Sequence, residues 1–279
     1  MKLSSNFIYF HNELGLKKTI DAFADAGFDA IDFNADLQEY YTDEHDRDFY
    51  REIRAYAADR GITFDQTHAP FASSYAEEDR SARRFGEIVK SMEHSAWLGA
   101  QMVVVHPCAH IGCDTESGRA EMFAYNLDFY RKLLPYAEEY GVKIAIENIR
   151  GTITEAPEGL LSLLDALDSG MFTVCFDVGH ANLSGDPAVI LRQIGGRIGC
   201  THIHDNDGKR DIHTLPHQGI IDWEAVMRAL AEVGYTGNLN YVAGRFVMNT
   251  PIEMRPEAAR YMAKVGQYLI GRCQYFASL

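Results

Sequence analysis

The chain predicts a single-domain α/β fold, one (β/α)8 barrel over residues 1–279, on three observations. Short apolar runs alternate eight times with longer amphipathic stretches, from one end of the chain to the other. Glycine closes many of those stretches just before the next run, at the left-handed position that ends helices. Several runs, such as Met102–Val105, are apolar on both faces, as strands of a parallel sheet covered by helices must be. An open dinucleotide-binding sheet is the poorer account, because no glycine-rich phosphate fingerprint opens a helix.

Taken in order, strands are expected at Leu3–Phe10, Ala30–Asn34, Thr63–His68, Met102–His106, Lys143–Asn148, Thr173–Asp177, Ile198–His204 and Asn238–Val242. Apolar residues at i, i+3, i+4 spacing predict helices over Phe49–Asp59, Arg83–Leu98, Phe123–Glu139 and Trp223–Val233. Gly27, Gly61, Gly99, Gly141, Gly170 and Gly234 are the expected helix ends. The run Asp43-Glu44-His45-Asp46 reads as a solvated loop that caps the next helix, and Trp223 after Asp222 as an apolar contact at a helix start. No linker, low-complexity segment or short repeat divides the chain.

With 47% hydrophobic residues the chain can bury a large core. A formal charge of -14 and a pI near 5.2 argue against a nucleic-acid partner, since affinity for a polyanion rests on Lys and Arg. No apolar run approaches the roughly 20 residues of a membrane span, and Met1–His11 carries no signal-peptide core, so a cytoplasmic protein is expected. Cys108, Cys113, Cys175, Cys200 and Cys273 are odd in number and sit mostly in apolar runs, which predicts reduced thiols rather than a disulfide framework. Cys108 and Cys113 lie near a candidate ligand and could touch a metal.

The chemistry concentrates in Thr201–Trp223, which holds His202, His204, Asp205, Asp207, Asp211, His213 and His217. Imidazole and carboxylate together suit Zn²⁺, Mn²⁺ or Fe²⁺. Related groups end the apolar runs upstream: His68, His106, Glu147 with Asn148, and Asp177 with His180. In a barrel the carboxyl ends of the strands converge, so His68, His106, Glu147, Asp177 and His204 would meet in space. So many buried ionisable groups are costly unless a metal or partner offsets them. His202 and His204 point the same way along their strand; His204, nearer its end, is the expected ligand, and His202 a deeper hydrogen-bonded support. Asp211, His213 and His180 suit a shared outer ion, unless they belong to a plain surface loop. His68 and His106 could instead contact substrate. Asn148, Arg150 and Lys209 could bind a substrate hydroxyl, carboxylate or phosphate, or could be a solvated face.

The motifs His68-Ala-Pro, Val-Val-Val-His106-Pro, Ile-Glu147-Asn, Phe-Asp177-Val-Gly-His180 and His-Ile-His204-Asp-Asn-Asp207-Gly-Lys with Asp211-Ile-His213 span nearly the whole chain. Together they resemble the xylose isomerase-like TIM-barrel superfamily, which holds sugar and sugar-phosphate isomerases and epimerases, inosose dehydratases and AP endonucleases of family 2. The resemblance implies a divalent metal held by Glu147, Asp177 and His204, and further ligands at His68, His106, His180, Asp211 and His213, for one to three zinc or manganese ions. The chain departs from the family at strand eight, where a final Glu is replaced by Val242 in Gly237-Asn-Leu-Asn-Tyr-Val242, and at Gln218, which stands where Glu is common.

These residues and the resemblance together predict an enzyme, a metal-dependent isomerase or epimerase of a sugar or sugar phosphate, that moves a proton next to a metal-polarised carbonyl. Glu147, His180 and His213 are its candidate bases. Val242 leaves one base too few for a two-glutamate epimerisation, so a lyase or dehydratase acting on a keto-sugar or inosose stays open. A zinc phosphodiesterase resembling endonuclease IV and a non-catalytic sugar-binding homologue fit the same residues less fully. The expected partner is a small carbohydrate; assembly with further copies of the chain stays open.

Overall fold

The computed structural model describes residues 1–34 and 37–279, with the side chains of Tyr9 and Glu13 outside the description. Eight strands form one sheet: β1 Leu3–Asn6, β2 Ala30–Asn34, β3 Gln66–His68, β4 Met102–Val105, β5 Lys143–Glu147, β6 Phe172–Asp177, β7 Ile198–His202 and β8 Leu239–Tyr241. Their order is β7-β6-β5-β4-β3-β2-β1-β8, and a parallel bridge from Ile203 to Tyr241 joins the two ends. That is the strand order of a (β/α)8 barrel.

Helices follow the strands: α1 Ile8–Leu14, α2 Leu16–Ala26, α3 Arg47–Ala58, α4 Glu78–Leu98, α5 Glu116–Tyr140, α6 Pro157–Leu167, α7 Val178–Ser184, α8 Pro187–Ile194, α9 Trp223–Glu232, α10 Gly244–Met248 and α11 Arg255–Ala277. No helix among the described residues is long and apolar enough to cross a membrane.

The chain divides into two compact units. The first comprises Met1–Phe33, Ala55–Phe64 and Phe176–Leu279. In it β1 pairs in parallel with β2, from Ser4 opposite Ala30, and with β8, from Leu3 opposite Leu239. Leu3, Ile20, Phe23, Leu230, Tyr241 and Leu269 are fully buried there. The second comprises Asn34–Arg54 and Asp65–Cys175. Its strands β3, β4, β5 and the start of β6 run in parallel, with Val104 opposite both His68 and Ala145. Val103, Val104, Val105, Ile144, Ala145 and Ile146 are all fully buried, which is why those segments carry no polar face.

Several expected boundaries are corrected. The strand predicted over Leu3–Phe10 stops at Asn6, whose Oδ1 accepts the Ile8 backbone N–H at 2.9 Å and turns the chain into α1. Phe7 and Phe10 then bury by helical spacing, Phe7 stacking on Phe33 with ring centres 4.8 Å apart and Phe10 meeting Phe23 edge to face. Helices α4 and α5 begin well before Arg83 and Phe123, because polar first turns show no apolar period; Thr115 caps α5 by accepting the Gly118 N–H at 3.0 Å. At the end of α6 the left-handed residue is Asp168, with φ 45°, rather than Gly170. Asp46 caps α3 as the acidic run suggested, its Oδ1 accepting the Phe49 N–H at 2.9 Å. The seventh strand ends at His202, short of His204, and Asp205 makes an antiparallel bridge to Thr214.

Candidate metal centres

Among the described residues, two of the clusters of metal-ligating side chains lie each within one unit. In the first unit, Asp177 ends β6 and caps α7, its Oδ1 accepting the His180 N–H at 2.7 Å. That turn aims His180 toward the segment after β7. His204, fully buried, lies with Nε2 3.0 Å from Asp177 Oδ1 and 3.6 Å from Asp211 Oδ1. The Asp211 Oδ2 lies 3.3 Å from His180 Nε2 and 3.1 Å from His213 Nε2. The His204 and His213 rings stack in parallel with centres 3.8 Å apart. Ligand atoms of His180, His204, Asp211 and His213 all lie within 4.8 Å of one another.

Glycine is required beside this cluster. A Cβ on Gly179 would overlap the His204 ring, so the first turn of α7 can approach that ring only at a residue without a side chain. His213 itself holds a left-handed φ of 44°. Its Nδ1 lies 2.8 Å from the Val242 carbonyl, and Arg245 donates its backbone N–H to the His213 carbonyl at 3.1 Å.

The donor chemistry fits a cation. A carbonyl oxygen only accepts, so the proton on His213 Nδ1 goes to Val242, and in the neutral ring Nε2 presents a lone pair to the Asp211 carboxylate. Two acceptors at 3.1 Å require a metal ion or a proton between them. His204 makes no hydrogen bond to the described residues through either ring nitrogen although it is fully buried, a cost that coordination would remove. Burial alone would raise Asp211, but hydrogen bonds from His180 and His213 outweigh it and hold the carboxyl well below the usual carboxylate range. For His213 the balance is similar: burial lowers it, and the Asp211 contact with nearby acidic charge raises it above the ordinary imidazole value.

In the second unit the cluster stands on strand ends. Glu147 ends β5, 2% exposed, with Oε2 2.9 Å from His106 Nε2 and 3.6 Å from His68 Nε2. His68 Nδ1 donates to the Ala69 carbonyl at 2.7 Å, which leaves Nε2 as the ring nitrogen that faces the carboxylate. Phe71 stacks on His106 with ring centres 4.7 Å apart and meets His68 edge to face. Ser73 donates to the His106 carbonyl at 2.6 Å, and Thr154 to the Glu147 carbonyl at 2.7 Å.

The expected triad of Glu147, Asp177 and His204 divides between the two units. His202 lies 3% exposed in a deeper layer, Nε2 3.7 Å from Asp32 Oδ2 and Nδ1 3.9 Å from Asp177 Oδ2. Asn148 is buried, whereas Arg150 and Lys209 are exposed; the Lys209 backbone N–H caps onto Asp207 at 3.0 Å. Cys108 and Cys113 join neither cluster among the described residues, and burial pushes the Cys108 thiol up to about 12 against a hydrogen bond with Ser74. Sequence reasoning missed Asp32, a fully buried acid inside the apolar run Ala30–Asn34 that accepts from Asn240 at 2.8 Å. Its lone charge in a strand was the available signal. It also missed Phe71 and the carbonyl of Val242, the latter invisible in any side-chain pattern.

A family profile described as xylose isomerase-like TIM barrel matches residues 20–264. An uncharacterized protein of Methanocaldococcus jannaschii, MJ1311, is 30% identical over 85% of this chain and 82% of its own length. Among solved structures, a D-tagatose 3-epimerase-like protein superposes with a TM-score of 0.75 at 25% identity, covering 97% of this chain and all (100%) of its own. The IOLI protein with a bound zinc atom superposes at 0.81 with 23% identity and 100% coverage of both chains.

Proposed function

The chain belongs to the xylose isomerase-like TIM-barrel family, and on that premise we propose that it is a divalent-metal-dependent isomerase or epimerase of a small sugar or sugar phosphate. The convergence of His180, His204, Asp211 and His213, whose ligand atoms all lie within 4.8 Å of one another, carries this reading. Similarity to a D-tagatose 3-epimerase-like protein supports the substrate class, and the zinc of the IOLI protein supports the metal.

Three imidazoles and one carboxylate are a zinc-type donor set, and His68, His106 and Glu147 are a second set for a further ion. A bound ion supplies Lewis acidity, polarising a substrate carbonyl and acidifying the adjacent C–H. The chain's own groups do the rest. Asp211, kept ionised by its two histidine partners, contributes negative charge. His213, anchored through Nδ1 at Val242, keeps Nε2 directed inward. Glu147 and His180 are the bases offered to the substrate proton, with Glu147 and His106 in contact at 2.9 Å, whereas His213, its Nδ1–H given to Val242 and its Nε2 to the ion, has no lone pair left for that role. Asn148, Arg150 and Lys209 are the proposed substrate contacts, the two cations suited to a phosphate or carboxylate.

A one-base elimination is the second reading. Val242, 6% exposed, stands where a second carboxylate is expected, and dehydration needs only one proton taken from carbon. Both readings are tested by metal analysis of the purified protein, followed by incubation of the zinc and manganese forms with keto-sugars in D₂O. Deuterium in recovered sugar supports isomerisation, and loss of water without exchange into substrate supports the lyase. A protein with no bound metal and no exchange with any keto-sugar rejects both.

A further inference from the structure

Asp205 follows the fully buried His204, is itself fully buried, and accepts four N–H groups. Oδ1 takes the Asn206 backbone N–H at 2.9 Å and that of Ile221 at 3.3 Å. Oδ2 takes the His217 backbone N–H at 3.0 Å and the indole Nε1–H of Trp223 at 2.9 Å. Four donors satisfy the lone pairs that make an isolated buried carboxylate so unfavourable. Three of those donors lie at the far end of the excursion between β7 and α9. The Asp205 backbone pairs with Thr214 in both directions, at 2.8 and 3.0 Å. One carboxylate therefore closes the base of an irregular loop whose middle carries Asp211 and His213.

The surroundings are shaped to this contact. His217 takes a left-handed φ of 70°, and its N–H is the one that reaches Asp205. A Cβ on Gly219 would overlap Asp205 Oδ1 and the Asn206 carbonyl. Asn206 extends the tie to α7: it donates to the Gly179 carbonyl at 2.8 Å and accepts from Asn182 at 2.7 Å. The loop that brings two ligands is thus fastened to the helix that brings a third.

We propose that Asp205 is a positioning residue for the metal centre, its carboxylate clamping the loop 206–222 so that Asp211 and His213 meet His180 and His204. The inference rests on the metal-dependent reading of the protein. An irregular loop ordered only when the ion arrives would lose conformational entropy at that step and weaken binding; a clamp formed on folding removes that loss.

The test compares wild type with Asp205→Asn, Trp223→Phe and a control, Leu230→Ala, whose side chain is buried in α9 and which makes none of the hydrogen bonds to Asp205. Zinc affinity is read by chelator competition, and the metal-free loop by the rate of trypsin cleavage after Lys209 and Arg210. Asp205→Asn is expected to weaken zinc at this cluster roughly 10–100-fold, the usual effect of losing a support behind a metal ligand, and to speed cleavage. Trp223→Phe removes one donor and shifts both readouts less, in the same direction. Leu230→Ala lowers Tm and leaves zinc affinity unchanged, which separates positioning from general stability. Wild-type affinity and wild-type cleavage in Asp205→Asn, or in Trp223→Phe should the former not fold, overturn the proposal. Weakening of zinc by Leu230→Ala equal to that of Asp205→Asn overturns it as well. If the wild type takes up no divalent ion, the metal-dependent reading fails by itself and the cleavage rates alone decide the clamp.

Discussion

The two histidine–carboxylate clusters reach similar chemistry by different construction. His68 and Glu147 are the last residues of β3 and β5, and His106 directly follows β4, so the parallel register that sets Val104 opposite His68 also sets the ligands. In the other cluster His180 stands in a short helix, while His204, Asp211 and His213 stand beyond the end of β7. A ligand on a strand end inherits its place from the sheet. A ligand on a connection needs local devices, and here these are a glycine beside His204, a backbone carbonyl under His213 and a buried carboxylate across the loop. The loop-borne cluster should therefore be the more fragile of the two.

The largest expected effect is on that fragile side. Gly179→Ala pushes a methyl group into the His204 ring, and His204→Ala removes the ligand; each should delete one ion per chain by elemental analysis and cut turnover by more than about 100-fold, beyond what loss of a supporting group costs. Metal content in Gly179→Ala equal to that of the wild type would show that the cluster bends more freely than its packing implies. Glu147→Gln should strip the strand-borne ion instead while leaving the other in place. Loss of both together would erase the distinction between the clusters.

Metal removal comes next in size. Ligand-linked stabilisation amounts to about 2.7 kcal/mol at a concentration 100 times Kd, which for a domain of this length lowers Tm by roughly 5–10 °C on chelation. Chelation should change hydrogen exchange little in the strand-borne cluster and, because Asp205 ties the ends of the loop 206–222 without the ion, should speed it only in the middle of that loop, around Asp211 and His213. Smaller still, Phe71→Ala removes a ring stacked on His106, worth ~0.5–1.5 kcal/mol, and should weaken the strand-borne ion a few-fold. Asp46→Ala, far from either cluster in the sequence, should cost about 1 kcal/mol through its lost helix cap and leave metal content untouched.

The same contrast governs what could be read without a structure. Strand positions were legible because both-face apolar runs such as Met102–Val105 have few competing conformations, and ligand types were legible because ionisable groups ended those runs. The segment after Asn6 misled because Phe7 and Phe10 fit a buried strand as well as one face of a helix. Polar first turns hid the starts of α4 and α5. Asp205 looked like one more acid in a metal-rich stretch, since nothing in its spacing reveals that donors twelve to eighteen residues away converge on it. The arrangement around His213 was beyond reach for a simpler reason: the partner is a peptide group.

That peptide group decides how position 242 tolerates change. The hold on His213 is made by the carbonyl of Val242, and the Val242 N–H is spent on the Ile203 carbonyl at 3.1 Å. Every amino acid except proline brings the same two groups, so a scan of side chains at this buried site would report only how each side chain packs while the contact went on working beneath it. Sensitivity would surface instead at neighbours that set the path of the main chain, Ala243 and Gly244, and in amide-to-ester replacement of the bond itself.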